Sequence, residues 1–147
     1  MEQEPYYIVI TRKNQVLLSF LKIRVVIDKK QIWPLADCNP VVITLAENDL
    51  QLLATDGFHF SRPLTLHYPK EGTYFRLKIV CAIDDRSLLT GALILVVSYL
   101  LGFYTGFLLL KIISFLPLIY FLLYYYVSRR DFIQVKQDRP RAGLLKK

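Results

Sequence analysis

The chain has 147 residues, 54% of them apolar, with a mean hydropathy of +0.34 and a formal net charge of +7. That length holds about one domain, and the apolar share is high for a soluble one. The charge is segregated: residues 1–85 carry ten Lys or Arg against ten Asp or Glu, and residues 128–147 carry seven against two. A neutral N-terminal segment offers no basic footprint, so nucleic acid is not an expected partner.

Glu2 and Glu4 open the chain in place of a basic region before an apolar run. Neither a secretory signal nor a lipid anchor is therefore expected. Residues 1–85 then read as strands. In Lys22–Asp28, Ile23, Val25 and Ile27 share one face, and in Tyr74–Cys81, Phe75, Leu77, Ile79 and Cys81 do the same. Shorter runs are Tyr7–Thr11, Val41–Leu45, Leu50–Ala54, Phe58–Phe60 and Leu64–Tyr68, and Gln15–Leu21 reads as a strand or a short helical turn. Turn signals separate them at Asp28-Lys29-Lys30, Asp37 to Pro40, Glu47-Asn48-Asp49, Asp56-Gly57 and Pro69 to Gly72. Even spacing without an amphipathic helix predicts a small all-β antiparallel sandwich.

The run VVIDKKQIW, PVVITLAENDLQLLATDG and TYFRLKIVC resembles the PEGA-like carbohydrate- or wall-associated β-sandwich modules. In these a strand ending in an Asp-containing turn precedes a Pro-led strand, a tight turn and a closing pair. Here the family's Asp-Gly turn is Asp28-Lys29, its Pro-Gly turn is Glu47-Asn48, and the name-giving tetrapeptide is absent. The resemblance implies a sandwich fold and does not carry over a wall ligand.

From Ser87 to Val127 the only charged residue is Lys111. One straight helix of that length would run about 60 Å, roughly twice the hydrocarbon thickness of a bilayer. The spacing predicts a two-helix transmembrane hairpin over residues 86–127, with helices from about Arg86 to Tyr104 and from about Phe107 to Val127. The alternative is one span from Ser87 to Leu110 followed by a re-entrant or short second segment. The turn falls between Gly102 and Lys111. Gly102 and Gly106 serve either as turn residues or as a G-x-x-x-G helix-packing pair. Lys111 is expected to snorkel to the far interface, and Pro117 to kink the second helix.

Tyr124, Tyr125 and Tyr126 mark the exit of the second helix at the headgroup layer. Arg86 before the stretch and Arg129 with Arg130 after it place both flanks, and hence both termini, on the cytoplasmic side. Residues 128–147 read as a basic cytoplasmic tail, partly disordered around Pro140 and Gly143. Its cations act as a topology signal or as contacts for anionic lipid, with Phe132 and Ile133 available for shallow insertion.

Reactive constellations are missing from the sequence pattern. His59 and His67 each lie between apolar residues, and strand alternation turns them to solvent. Cys81 is on an apolar strand face and Cys38 in a turn-rich segment. They form one bridge in an extracytoplasmic domain, or remain a buried and a loop thiol in a reducing compartment. Asp84 and Asp85 read as the solvated end of the domain. With no phosphate-cradling glycine loop and no nucleophile elbow, no enzyme, cofactor, metal or small-molecule substrate is expected. An enzymatic role would need a pocket between hairpin and sandwich, with Lys111 as its ionisable group. The expected role is an accessory or scaffolding subunit, meeting the bilayer and a membrane-protein partner or a second copy. A lipid-surface sensor and an extracytoplasmic wall- or ligand-binding module are the alternatives.

Overall fold

A computed structural model of the chain describes residues 6–36, 38–45, 47, 49–67 and 74–138. Strand β1 (Tyr6–Arg12) leads through the short helix α1 (Val16–Ser19) to β2 (Arg24–Ile27) and β3 (Gln31–Pro34). Strands β4 (Val41–Leu45), β5 (Leu50–Thr55), β6 (Leu64–Leu66) and β7 (Tyr74–Cys81) follow. Helices α2 (Asp85–Thr105), α3 (Leu108–Ile113) and α4 (Leu116–Val127) come next, and the chain returns as β8 (Ile133–Gln137).

Two four-stranded sheets result, in the orders β4-β1-β7-β8 and β3-β2-β5-β6. Their inward positions are set by strand alternation. Ile8, Ile10, Ile43, Leu77 and Ile79 from one sheet join Val25, Ile27, Leu52 and Ala54 from the other in a single buried cluster. The ambiguous Gln15–Leu21 segment is helical only over α1, whose Leu18 plugs that core. The first sheet is mixed. β1 runs parallel to β7, with Ile8 opposite Phe75 and Ile10 opposite Leu77, so the wholly antiparallel expectation is corrected. Alternation specifies which face is buried and says nothing about the direction of a neighbour.

Two further differences are local. Residues 58–60 form no strand: only Phe60 bridges, to Thr55, and the segment is a hydrogen-bonded turn. β3 is an additional edge strand, joined to β2 through Asp28 and Lys29 at φ 47° and 57°. Both residues are left-handed, as a type I′ turn requires.

The main correction concerns residues 128–147. Ile133 opposes Cys81 and Val135 opposes Ile79 in an antiparallel β7–β8 ladder, so residues 133–137 complete the first sheet. Phe132 and Ile133 are buried in the core and not available for shallow insertion. Burying side chains of that size stabilises by about 1.5–3 kcal/mol each, which outweighs the solvation of a short basic segment. Residues 139–147, including Pro140 and Gly143, lie outside the described residues. The two-sheet domain is therefore discontinuous, and the helices are an insertion between neighbouring strands.

Within that insertion the turn is at Gly106, left-handed at φ 73°, a conformation that favours glycine at a helix C-terminus. Gly102 packs instead: a Cβ there would lie 3.0 Å from the Leu110 Cβ, the Lys111 Cγ and the Lys111 backbone nitrogen. Gly91 plays the same part further down, where a Cβ would fall 2.7 Å from the Phe121 ring. The packing pair is thus Gly91 and Gly102, three helical turns apart, and not Gly102 with Gly106. The helix is interrupted at Ser114–Phe115 ahead of Pro117, which lacks the N–H to continue the ladder and starts α4.

Replacing Ile133 by Ala should lower the stability of the detergent-solubilised protein by about 2–4 kcal/mol, read as a fall in its thermal midpoint. If residues 128–138 were a free tail, the midpoint would not move.

Candidate functional site

The described residues contain no cluster of three or more metal-type ligands. What they build is a pair of polar anchor points where the helices leave and re-enter the two-sheet domain.

At the entry, Gln15 is buried and satisfies the end of β7: its Oε1 accepts from the Cys81 N–H at 2.7 Å. Its Nε2 donates to Asp84 Oδ1 at 3.0 Å, and the Lys13 ammonium donates to the same oxygen at 2.8 Å. Asp85 Oδ1 accepts from the backbone N–H of Val16 at 2.9 Å. Asp84 and Asp85 are accordingly structural partners of the β1–β2 connection and not a solvated terminus. Hydrogen bonds from Lys13 and Gln15 hold the Asp84 carboxyl below its usual value.

At the exit the partner is His59, fully buried and so the reverse of the solvent-facing residue expected from alternation. An Asx turn creates its position. Asp56 Oδ1 accepts from the backbone N–H groups of Phe58 and His59 at 2.9 and 2.6 Å, folding the chain back after β5. The ring then lies with Nδ1 2.9 Å from Asp56 Oδ2 and Nε2 3.0 Å from the Tyr125 carbonyl oxygen in α4. Both partners only accept. Neutral imidazole satisfies one of them, whereas imidazolium satisfies both. Burial alone would raise the Asp56 carboxyl, but hydrogen bonds from the His59 ring and from the N–H groups of His59 and Phe58 outweigh it and lower the pKa.

Aromatic packing closes the exit. The His59 ring stacks on Phe132 at 4.3 Å, and Tyr125 stands edge-on to both. The Phe60 N–H donates to the Arg129 carbonyl at 3.1 Å, and the Arg129 guanidinium lies over the Phe58 ring at 4.2 Å. The loop 56–60 thus grips α4 and the segment after it at two backbone positions. His67 differs: it is exposed and pairs with Asp49 at the surface.

The membrane-interface residues expected from the sequence divide into groups. Tyr125 and Arg129 belong to the anchor, Tyr124 is half-buried against the core, and Tyr126 is exposed. Arg86 lies at the opposite root, beside an open groove of about 620 Å³ formed with Gly91, Pro117 and Phe121. Lys111 sits on α3 just past the Gly106 turn, its ammonium 5.6 Å from the Phe103 ring centre. Arg130 lines two open cavities, of about 460 and 670 Å³, that also share Arg62 and Asp131. Arg62 Nε donates to Asp131 Oδ1 at 2.8 Å. The sequence reading passed over His59, Arg62 and Lys136 as site residues. For His59 a signal existed, in the Asp56-Gly57-x-His spacing of an Asx turn.

The two thiols are unpaired, Cys38 exposed and Cys81 buried. Burial pushes the Cys81 thiol up, away from the reactive thiolate. Comparisons with family models, with curated proteins and with solved structures yield no match.

His59→Ala should destabilise the domain by about 3 kcal/mol, because Asp56 is left buried without its partner. His67→Ala should change stability by less than about 1 kcal/mol, its ion pair being exposed. Thermal unfolding of the two variants side by side checks this, and equal effects would exclude the anchoring role. The Asp84 carboxyl is depressed in the folded state. Its contribution is full above the ordinary value of 3.8 and is lost as the pH falls through the lower folded value. Stability in acid should therefore decline less steeply in Lys13→Ala than in the parent, measured as thermal midpoint against pH.

Proposed function

We propose that the chain is a non-catalytic membrane-anchored interaction module, an accessory or scaffolding subunit of a membrane complex. Its helical hairpin crosses the bilayer twice and leaves the two-sheet domain and both termini on the cytoplasmic side. The observation that carries this reading is the insertion of the hairpin between the adjacent strands β7 and β8. Both roots leave one domain, so two crossings return the chain to the side it left.

Two helices, Asp85–Thr105 and Leu108–Val127, are long and apolar enough to cross a membrane. Only 11% and 6% of their apolar windows are buried, unlike the core helices of a soluble protein. Large side chains such as Leu93, Phe103, Leu108 and Leu123 remain uncovered over the length of both. An α2 of 21 residues spans about 32 Å, close to the hydrocarbon thickness. Arg86, Arg129 and Arg130 at the roots favour the cytoplasmic side under the positive-inside rule. Unpaired thiols at Cys38 and Cys81 agree with a reducing compartment.

The interaction role draws on β3, an edge strand whose Ile32 and Trp33 are exposed. An uncovered edge with apolar side chains suits a protein partner or a second copy. The PEGA-like kinship concerns the two-sheet fold alone and brings no ligand with it.

Sidedness tests the proposal. A membrane-impermeant maleimide should reach Cys38 only after lysis, and a reporter fused after Lys147 should read cytoplasmic. Labelling in intact cells, or a disulfide between Cys38 and Cys81, would place the domain outside and favour the ligand-binding alternative. Purification from the native membrane in mild detergent should bring a stoichiometric partner. A homogeneous monomer from that preparation removes the subunit role.

A further inference from the structure

We propose that the cavity lined by Arg62, Arg130 and Lys136 binds the phosphate of an anionic lipid headgroup. The proposal rests on the membrane-spanning reading above and adds a defined site to it. Its three cations come from separate parts of the chain: the β5–β6 connection, the segment after α4, and β8. Tertiary folding converges them on one cavity of about 460 Å³, where Asp131 is the single acid. An excess of two positive charges in a cleft of that size suits a phosphate-bearing group.

Asp131 orients the site as well as lowering its charge. By accepting from Arg62 Nε at 2.8 Å it fixes the guanidinium plane and leaves the terminal nitrogens to face a ligand. Among the described residues Arg130 and Lys136 have no acidic partner. Such cations lose little by exchanging water for phosphate oxygens.

The depth of the cavity selects the source of the phosphate. Tyr124, one turn before the end of α4, forms part of the wall. The cavity therefore opens at the level where the apolar helix ends, which in a bilayer is the headgroup layer. A lipid phosphate is already concentrated at that level, whereas a soluble ligand has to be drawn from bulk. The cations lie on the domain side of the interface, where juxtamembrane basic residues meet anionic lipid.

The full-length protein would be reconstituted in nanodiscs of phosphatidylcholine, alone or mixed with phosphatidylglycerol. It would then be released in mild detergent for native mass spectrometry. Phosphatidylglycerol should be retained in preference to phosphatidylcholine. Retention should fall about fivefold for each cation removed in Arg62→Gln, Arg130→Gln and Lys136→Gln, without a change in thermal midpoint. Arg86→Gln, at the same interface but outside the cavity, should retain the lipid as the parent does. Equal loss in Arg86→Gln, or no loss in the cavity variants, overturns the site. A parallel titration of the detergent-solubilised protein with glycerol phosphate separates the sources. Saturable binding there, abolished in Arg130→Gln and without lipid preference in nanodiscs, keeps the phosphate chemistry and overturns the lipid source. Carbonate extraction of the native membrane stands apart: release of the protein into the aqueous fraction would sink the membrane reading, whatever the titration gives.

Discussion

The β7–β8 ladder governs the architecture. Between Cys81 and Ile133, opposed in that ladder, lie 51 residues, including all of the long apolar helices. Closing so long a loop of free chain is entropically unfavourable, but a preformed hairpin brings its own ends together. Adjacent strands lie about 4.8 Å apart and packed helices about 8–10 Å apart, so short connections suffice to pass from one spacing to the other. The sheet and the hairpin are in this sense conditions of each other. β8 reaches its place only if the helices pair, and the helix roots are held only if β8 docks.

Each root carries its own polar lock. Lys13 and Gln15 meet Asp84 at the entry, and Asp56 with His59 meets the Tyr125 carbonyl at the exit. These contacts differ in kind. The entry lock is half-exposed and screened by solvent, so its charge contributes modestly and its geometry chiefly orients α2. The exit lock is buried under Phe58, Tyr125 and Phe132, where an unpaired group is costly and the arrangement has little freedom. A flexible tether would need neither. Two locks on two roots make the domain a rigid extension of the hairpin, which suits a module that presents a surface at a set height and orientation.

The hairpin interior is modest. Gly91 and Gly102 let α2 approach the returning helices closely, while most of the surrounding large side chains face outward. In a bilayer those outward side chains need no protein partner, because lipid tails solvate them as well as a core would. Close contact is then the available source of attraction between helices, and small residues at the crossing supply it. The break before Pro117 divides the returning helix and leaves α4 to carry the aromatic exit.

Much of this was legible from residue order. Alternation in Lys22–Asp28 and Tyr74–Cys81 identified buried strand faces, and the length and apolarity of Ser87–Val127 identified a pair of helices, because both signals are local and periodic. β8 was not legible: five residues with two apolar positions amid cations read as a tail, and only the open edge of β7 makes them a strand. Nor was the parallel pairing of β1 with β7, since alternation is blind to a neighbour's direction. His59 was misread because the rule for strands was applied to an Asx turn. The convergence of Arg62, Arg130 and Lys136 had no local signature at all. The sequence by itself determined which segments are apolar, extended or helical, through short-range periodicity. Tertiary structure alone decided what adjoins what, because strand pairing, burial of a polar ring and convergence of charges depend on partners far away along the chain.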